Sequence, residues 1–406
     1  MATINPSKSP YSFSATSLLP QEEMLEIGLK KSQLIIGIPK ETDPFENRVA
    51  LTPLAVELLV NSGHEVIIEK DAGLASNFQN TDYSEMGGFI VDSKAEVFKS
   101  DVLLKIAPLL PQEIELLKEG QILISALHLL RQSEENIRNL MQKRVTAIAF
   151  EQLKDINGCN TVVRAMSEIA GNASIFIAAE YLSNAHGGKG VMLGGITGIP
   201  PTEIVILGAG TAGEYAARTA LGFGAIVKVF DNSLSKLRRL QNSVNHPVFT
   251  SIIHPIVLAK ALKSADVVIG AIRQFDGPQF VLSEDMVKTM KKGAVLIDIS
   301  IDQGGCVETS SCTNHGNPVF TKHGVIHYCV PNIASRVSKT ASISLSNIFA
   351  PLLIQLADSG SVNKLIKEDI GFCNGVYLYK GILTNQNIGE YFRIPYKDIG
   401  LLMAAF

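Results

Sequence analysis

One stretch constrains this chain more than any other: Glu203-Ile-Val-Ile-Leu-Gly208-Ala-Gly210-Thr-Ala-Gly213. A short β-branched apolar run enters a glycine-spaced turn, and a helix-forming run follows from Glu214 to Ala220. A second apolar run, Ile226–Phe230, then ends in Asp231. This is the order of a dinucleotide-binding βαβ unit. Gly208 allows the tight turn, Gly210 lets a pyrophosphate approach bare backbone, and Gly213 lets helix and strand pack closely. The helix N-terminus offers unpaired N–H groups and its positive dipole end to the phosphates. Asp231 is placed to accept hydrogen bonds from a ribose 2′-hydroxyl, and its charge repels a 2′-phosphate. The motif therefore favours NAD over NADP.

The rest of the chain also alternates strands with helices. Upstream, Gln33–Pro39, Glu65–Glu69, Val102–Ile106, Ile122–Leu127 and Thr146–Phe150 read as strands. Thr52 and Pro53 read as N-cap and first residue of a helix over Leu54–Asn61 that Gly63 stops. Downstream, Val267–Ala271, Ala294–Ile299 and Val325–Val330 are further strands. With no hairpin signal between them, such strands imply parallel sheets covered on both faces. The upstream set has no glycine turn of its own and is the candidate substrate domain. Two long apolar-faced helices, Met166–Ala185 and Ser338–Asp358, are expected to cross between the sheets. The fold class is thus α/β: two Rossmann-like, doubly wound parallel-sheet domains flanking a cleft and linked by two long helices. The expected division is an N-terminal arm (1–33), a substrate domain (34–165), an NAD-binding Rossmann domain (166–336) and a C-terminal return to the substrate domain (337–406).

Composition agrees and excludes alternatives. A chain of 406 residues with 46% hydrophobic content is too long for one ordinary core and suits two. A net charge of −3 supplies no field to draw in nucleic acid or an anionic membrane, and neither partner is expected. No unbroken apolar run of about 18 residues suggests a membrane span. The five cysteines are scattered with no CxxC, which suits reduced thiols in a cytoplasmic protein. The first residues lack the pattern of a secretory signal. They read as a loose arm with a short amphipathic helix over Gln21–Lys31, packing on a neighbouring subunit or left as a tail.

In open α/β sheets, ligands sit outside the carboxyl ends of strands. Lys105 and His128 fall at two such ends, Asp302 follows the strand ending near Ile299, and Arg48 follows the first strand by a loop. Arginine suits bidentate carboxylate binding, lysine neutralises charge on a carboxylate or carbonyl, and histidine titrates near neutral pH. The set fits a small substrate bearing a carboxylate and a carbonyl or amine, with hydride transfer left to the cofactor. A lysine inside an apolar run needs a partner or a ligand. His327, on an apolar strand, reads as core. No Cys/His cluster has metal-ligand spacing.

At these residues the chain resembles the alanine dehydrogenase family and its sibling, the NAD-binding part of the proton-translocating nicotinamide nucleotide transhydrogenase α subunit. The matching segments are Ile36–Glu41, Glu46–Pro53, Leu103–Lys105, Leu127–Leu129, Met166–Gly171, His186–Gly190, the Gly208–Gly213 turn, Ile301–Cys306, and His327–Val330 with Asn332. The resemblance implies a substrate domain built from both chain ends around a central NAD domain, and a homohexamer. It implies reversible oxidative deamination of L-alanine to pyruvate and ammonia. Arg48 and Lys105 would be substrate ligands, and His128 and Asp302 the acid/base pair. Ser167, Asp231, Lys236, Val330, Asn332 and Ile333 would contact NAD. Three positions depart from the family pattern: Ala107 stands where an acid is usual, Arg273 lies in an altered loop, and Ser311 replaces an arginine. A metal site sometimes seen in the family pairs a glutamate, matched by Glu151, with a C-terminal histidine. No histidine follows His327, so none is expected. The alternative reading is a transhydrogenase-like NAD-binding module acting within a complex.

Overall fold

The computed structural model describes residues 33–129, 132–244, 246–272 and 280–405. The helix expected over Gln21–Lys31 and the departure at Arg273 lie outside them. The first sheet takes β1 (Ile35–Ile38), β2 (Glu65–Glu69), β3 (Phe89–Val91), β4 (Val102–Leu104), β5 (Ile122–Ser125) and β6 (Thr146–Ala149). The second takes β7 (Glu203–Leu207), β8 (Ile226–Phe230), β9 (Phe249–Ser251), β10 (Val267–Gly270), β11 (Val295–Asp298), β12 (Val319–Lys322) and β13 (Val325–Tyr328). The chain then returns, and β14 (Val376–Tyr379) and β15 (Ile382–Leu383) complete the first sheet. The strand orders are β15-β14-β6-β5-β4-β1-β2-β3 and β12-β13-β11-β10-β7-β8-β9.

Both sheets are mainly parallel, as the alternation of strand and helix requires. Each is buried on both faces, because alternate residues feed different cores. Val102 and Leu104 face one apolar cluster and Leu103 the other. In the second sheet Ile204 and Ile206 face one cluster, Val205 and Leu207 its opposite. That double burial explains the unbroken apolar runs.

The expectation of no hairpins is corrected at two edges. β12 and β13 are antiparallel and joined by His323-Gly324, with φ of 55° and 77°. β14 and β15 are joined by Lys380-Gly381, with φ of 47° and 81°. Positive φ at both central residues is the two-residue turn whose twist matches paired strands. β14 also runs antiparallel to β6.

Two long helices connect the halves. The first spans Thr161–Leu182, starting earlier than expected, and the second spans Ser338–Asp358. Val162 and Met166 of the first helix pack in the core of the first sheet, whereas Ala170 to Leu182 pack in that of the second. A single rigid element therefore begins in one core and ends in the other. Both helices are long and apolar enough to cross a membrane by length and composition, but about half of each apolar stretch is buried inside the protein. Thr52 holds the N-cap position of the helix Pro53–Asn61 without capping it through its side chain. Its N–H donates instead to Ser346 Oγ at 2.8 Å. Asn47 and Val49 donate likewise to Ser335 and Ser342. The non-helical loop that carries Arg48 is thus satisfied by serines on and just before the second long helix.

Candidate active site

The glycine turn behaves as its spacing requires. Gly208 has φ 106°, and a Cβ there would stand 2.5 Å from the Ala271 carbonyl oxygen. A Cβ on Gly213 would collide with the Gly208 carbonyl oxygen, while one on Gly210 would meet nothing within 4 Å. Gly210 therefore faces open space at the start of the helix Thr211–Gly222, where a pyrophosphate needs bare backbone. This opens into a cavity of about 1070 Å³ lined by Ser167, Gly210, Asp231, Lys236, Arg164, Arg218 and Arg239, among others. Three arginines and a lysine on its wall suit a diphosphate, and the residues present fit a dinucleotide. Asp231, at the end of β8, accepts from Ala209 N and Ser233 N, both at 2.7 Å. Its carboxylate is locked in orientation, and each oxygen retains a lone pair for a ribose hydroxyl. The basic side chains beyond Lys236 were not singled out by sequence. Their signal was the spacing of Lys236 and Arg239 on one face of the helix Leu234–Ser243.

The carboxyl ends of β1, β4 and β5 lie side by side, because these strands are neighbours in the sheet. Arg48, Lys105 and His128 come from these three ends. Arg48 is clamped by Glu46: Nε to Oε1 at 2.7 Å and Nη2 to Oε2 at 2.5 Å. Burial raises and Arg48 lowers the Glu46 pKa, and the guanidinium wins, holding it below the ordinary carboxylate value. The third nitrogen, Nη1, lies 3.4 Å from the Met166 sulfur. Ser167, the next residue, lines the dinucleotide cavity. The first long helix thus links Arg48 to the wall of that cavity.

Lys105 has a side chain with no exposure. Its Nζ meets Glu41 Oε2 at 2.9 Å, Glu113 Oε2 at 3.5 Å, and the carbonyls of Ala107 and Pro108 at 3.5 and 3.4 Å. Burial opposes its charge, but Glu41 and Glu113 outweigh burial and raise its pKa, so it stays an ammonium. Glu41 also accepts from Ile106 N and Ala107 N. The partner demanded by a buried lysine is therefore a pair of glutamates that sequence reasoning missed.

His128 is exposed, and its backbone is left-handed, with φ 44°. Glu151 Oε1 accepts from Leu127 N at 2.8 Å and His128 N at 3.1 Å. Asp302 is exposed in the short helix Ile299–Gln303 that follows β11 in the other sheet. That loop is anchored from below by Asp298, whose carboxylate accepts from Ser300 N and Oγ, Cys306 N and Ser310 Oγ. Burial pushes the Asp298 pKa up despite these donors.

The segment Val330 to Ile333 is held differently. None of its residues lines the cavity. Val330 and Ile333 are core residues of the second sheet. Asn332 Nδ2 donates to the Phe45 carbonyl at 3.0 Å, and Ser335 Oγ donates to the same oxygen at 2.7 Å. This segment stitches the Arg48 loop to the second sheet. His327 is a core residue: Nδ1 donates to the Val325 carbonyl, Nε2 pairs with Thr309 Oγ1, and burial lowers its pKa. Among the described residues no cluster of His, Cys, Asp or Glu could hold a metal.

A family model described as alanine dehydrogenase/PNT, N-terminal domain, matches residues 37–170, and its C-terminal counterpart matches residues 174–386. The chain belongs to the alanine dehydrogenase/PNT family. Within it, an alanine dehydrogenase of Staphylococcus saprophyticus is 40% identical over 369 residues, which is 90% of this chain and 99% of that protein. Alanine dehydrogenase 2 of Staphylococcus aureus is 38% identical over 367 residues, 90% of this chain and 98% of its own. A solved L-alanine dehydrogenase superposes with a TM-score of 0.84 at 34% identity, covering 88% of this chain and 99% of that one. A transhydrogenase from Sinorhizobium meliloti gives a TM-score of 0.74 at 24% identity over 87% of this chain and 99% of its own, a likeness of fold.

Proposed function

We propose that this chain is an alanine dehydrogenase that uses NAD to convert L-alanine reversibly to pyruvate and ammonia. The observation that carries the reading is Met166-Ser167: one residue touches the Arg48 guanidinium, the next lines the dinucleotide cavity. A substrate carboxylate held by Arg48 lies beside the cofactor. Relatives sharing 38–40% identity across 90% of the chain bear the name alanine dehydrogenase, which favours this over the transhydrogenase-like module.

Arg48, with Nη1 turned from Glu46, takes the substrate carboxylate. Lys105, kept charged by its glutamates, supports the carbonyl or amine side from the end of β4. His128 moves the proton on the substrate nitrogen or oxygen, and Asp302 completes the acid/base pair from the opposite sheet. When bound, the nicotinamide takes the hydride. The locked Asp231 carboxylate selects the unphosphorylated ribose, hence NAD; Ser167 and Lys236 contact the same ligand. Val330, Asn332 and Ile333 act on the cofactor through the seam they hold.

The enzyme works in the cytoplasm, consistent with five free cysteines. It assembles as a homohexamer. Support comes from the glycine-rich connector 187–201, which leaves Val191, Met192, Ile196 and Ile199 exposed beside Phe223 and Phe176. An apolar patch of this kind marks an interface.

The deciding assay is steady-state turnover with a panel of amino acids and both nucleotides. L-alanine with NAD should be the best pair, and His128→Ala or Asp302→Ala should cut kcat by roughly 100-fold or more. Absence of turnover with every small amino acid and 2-oxo acid would discard the reading.

A further inference from the structure

Glu151 is costly where it sits. Its carboxylate is buried, and Oε2 has no hydrogen-bond partner among the described residues. Oε1 alone accepts from two successive backbone N–H groups, those of Leu127 and His128. A half-bare buried carboxyl group invites an explanation. His128, at the end of β5, supplies one. Its backbone is left-handed, an uncommon conformation for a residue with a Cβ, and the Glu151 contact falls on this residue's own N–H. Glu151 comes from the short helix Phe150–Gln152 after the neighbouring strand β6, so it reaches His128 across the sheet. Its own main chain is held in turn: Asn160 Nδ2, at the N-cap of the first long helix, donates to the Glu151 carbonyl at 2.8 Å. That helix carries Met166 and Ser167. Only one of its two oxygens is engaged by these donors, so the contact depends on reach.

We propose that Glu151 is the positioning residue of the acid/base histidine: it grips two backbone N–H groups and thereby fixes His128 relative to the helix that holds Arg48 and the cofactor cavity. The proposal rests on His128 being the acid/base group. It requires an acceptor at the length of a glutamate side chain, with no need for a negative charge.

Glu151→Gln, Glu151→Asp and Glu151→Leu in the full-length enzyme test it, read by kcat, KM for L-alanine, NADH affinity from fluorescence, and thermal melting. Gln keeps an oxygen at the right reach and should retain near wild-type kcat. Asp keeps the charge but is one methylene short, and Leu has no acceptor. Both should lose roughly 100-fold in kcat, the scale of a misplaced reacting group, with NADH affinity unchanged. If Leu does not fold, the Gln and Asp pair decides. An active Asp with an inactive Gln, a Gln as damaged as Asp, unchanged kcat in all three, or kcat and NADH affinity falling together would each overturn the proposal. His128→Ala is the separate control: full activity there removes the underlying assignment, whatever the Glu151 variants do.

Discussion

The two ends of the proposed active site are built on opposite principles. At the second sheet, the proposed dinucleotide cradle is made of backbone, with three glycines over one turn and a carboxylate pinned by two N–H groups. At the first sheet, the substrate corner is made of long charged side chains. Lys105 is enclosed by Glu41 and Glu113, and Arg48 is clamped by Glu46. A backbone cradle is specified by what is missing, and it is local in sequence. A charged corner is specified by pairing, and the partners are local for Arg48, two residues from Glu46, but distant for Lys105, 64 residues from Glu41. The cradle should fail by collision, the corner by leaving a charge alone.

The largest effect is expected in the corner. Lys105→Met leaves the buried Glu41 carboxylate without its ammonium, while Glu113 keeps Lys94 at 2.8 Å. Breaking a buried pair from one side costs about 3–5 kcal/mol, because the remaining charge is uncompensated. Glu41→Gln added to Lys105→Met should recover a substantial part of that loss, since the neutral amide no longer demands a cation. Chemical denaturation of both single variants and the double gives the coupling. A Lys105→Met protein as stable as wild type would mean that the three groups are not an interdependent set.

Gly213→Ala tests the cradle and should cost less. The added Cβ meets the Gly208 carbonyl oxygen, a backbone atom that cannot swing away. Overpacking of this kind costs about 1–3 kcal/mol. The displaced turn should also weaken NADH binding, which fluorescence titration reads. Gly210→Ala points its methyl into open space, so folding should be spared while NADH binding suffers. Equal loss of stability in both would contradict the division of labour between the two glycines.

These two regions also explain what could be read from sequence. The glycine turn was legible because each requirement falls within one short segment, down to the acid ending β8. The second long helix was legible to its ends, Ser338–Asp358, because its apolar face is continuous. The hairpins His323-Gly324 and Lys380-Gly381 were missed although each pairs a turn glycine with flanking β-formers; the parallel pattern around them overrode a local signal. Arg48, Lys105 and His128 could be named from their places at strand ends. The distant holders of Lys105 and His128 could not. Glu41 and Lys105 are 64 residues apart, and Glu151 and His128 are 23 apart. A carboxylate in a polar loop looks solvated until the fold buries it. Asp298, under the Asp302 loop, was hidden for the opposite reason: it reads as the end of an apolar strand.

The last effect is a difference in slope that should appear only in acid. Glu46 is depressed below its ordinary 4.5 because Arg48 outweighs burial. A carboxylate depressed in the folded state contributes stability that is fully present above the unfolded value. That contribution is lost as pH falls from about 4.5 through the lower folded value. Wild type should therefore lose stability across that window more steeply than Glu46→Gln, whose amide does not titrate. Above the window the two curves should run parallel, with the variant lower because Arg48 has exchanged a charged clamp for a neutral one. At neutral pH the variant should also bind L-alanine differently from wild type while NADH affinity stays the same, since Glu46 orients Arg48 and no part of the cradle. Urea melts at a series of pH values separate the outcomes: parallel curves down through the acid window would mean that Glu46 and Arg48 do not form the coupled pair on which the charged corner depends.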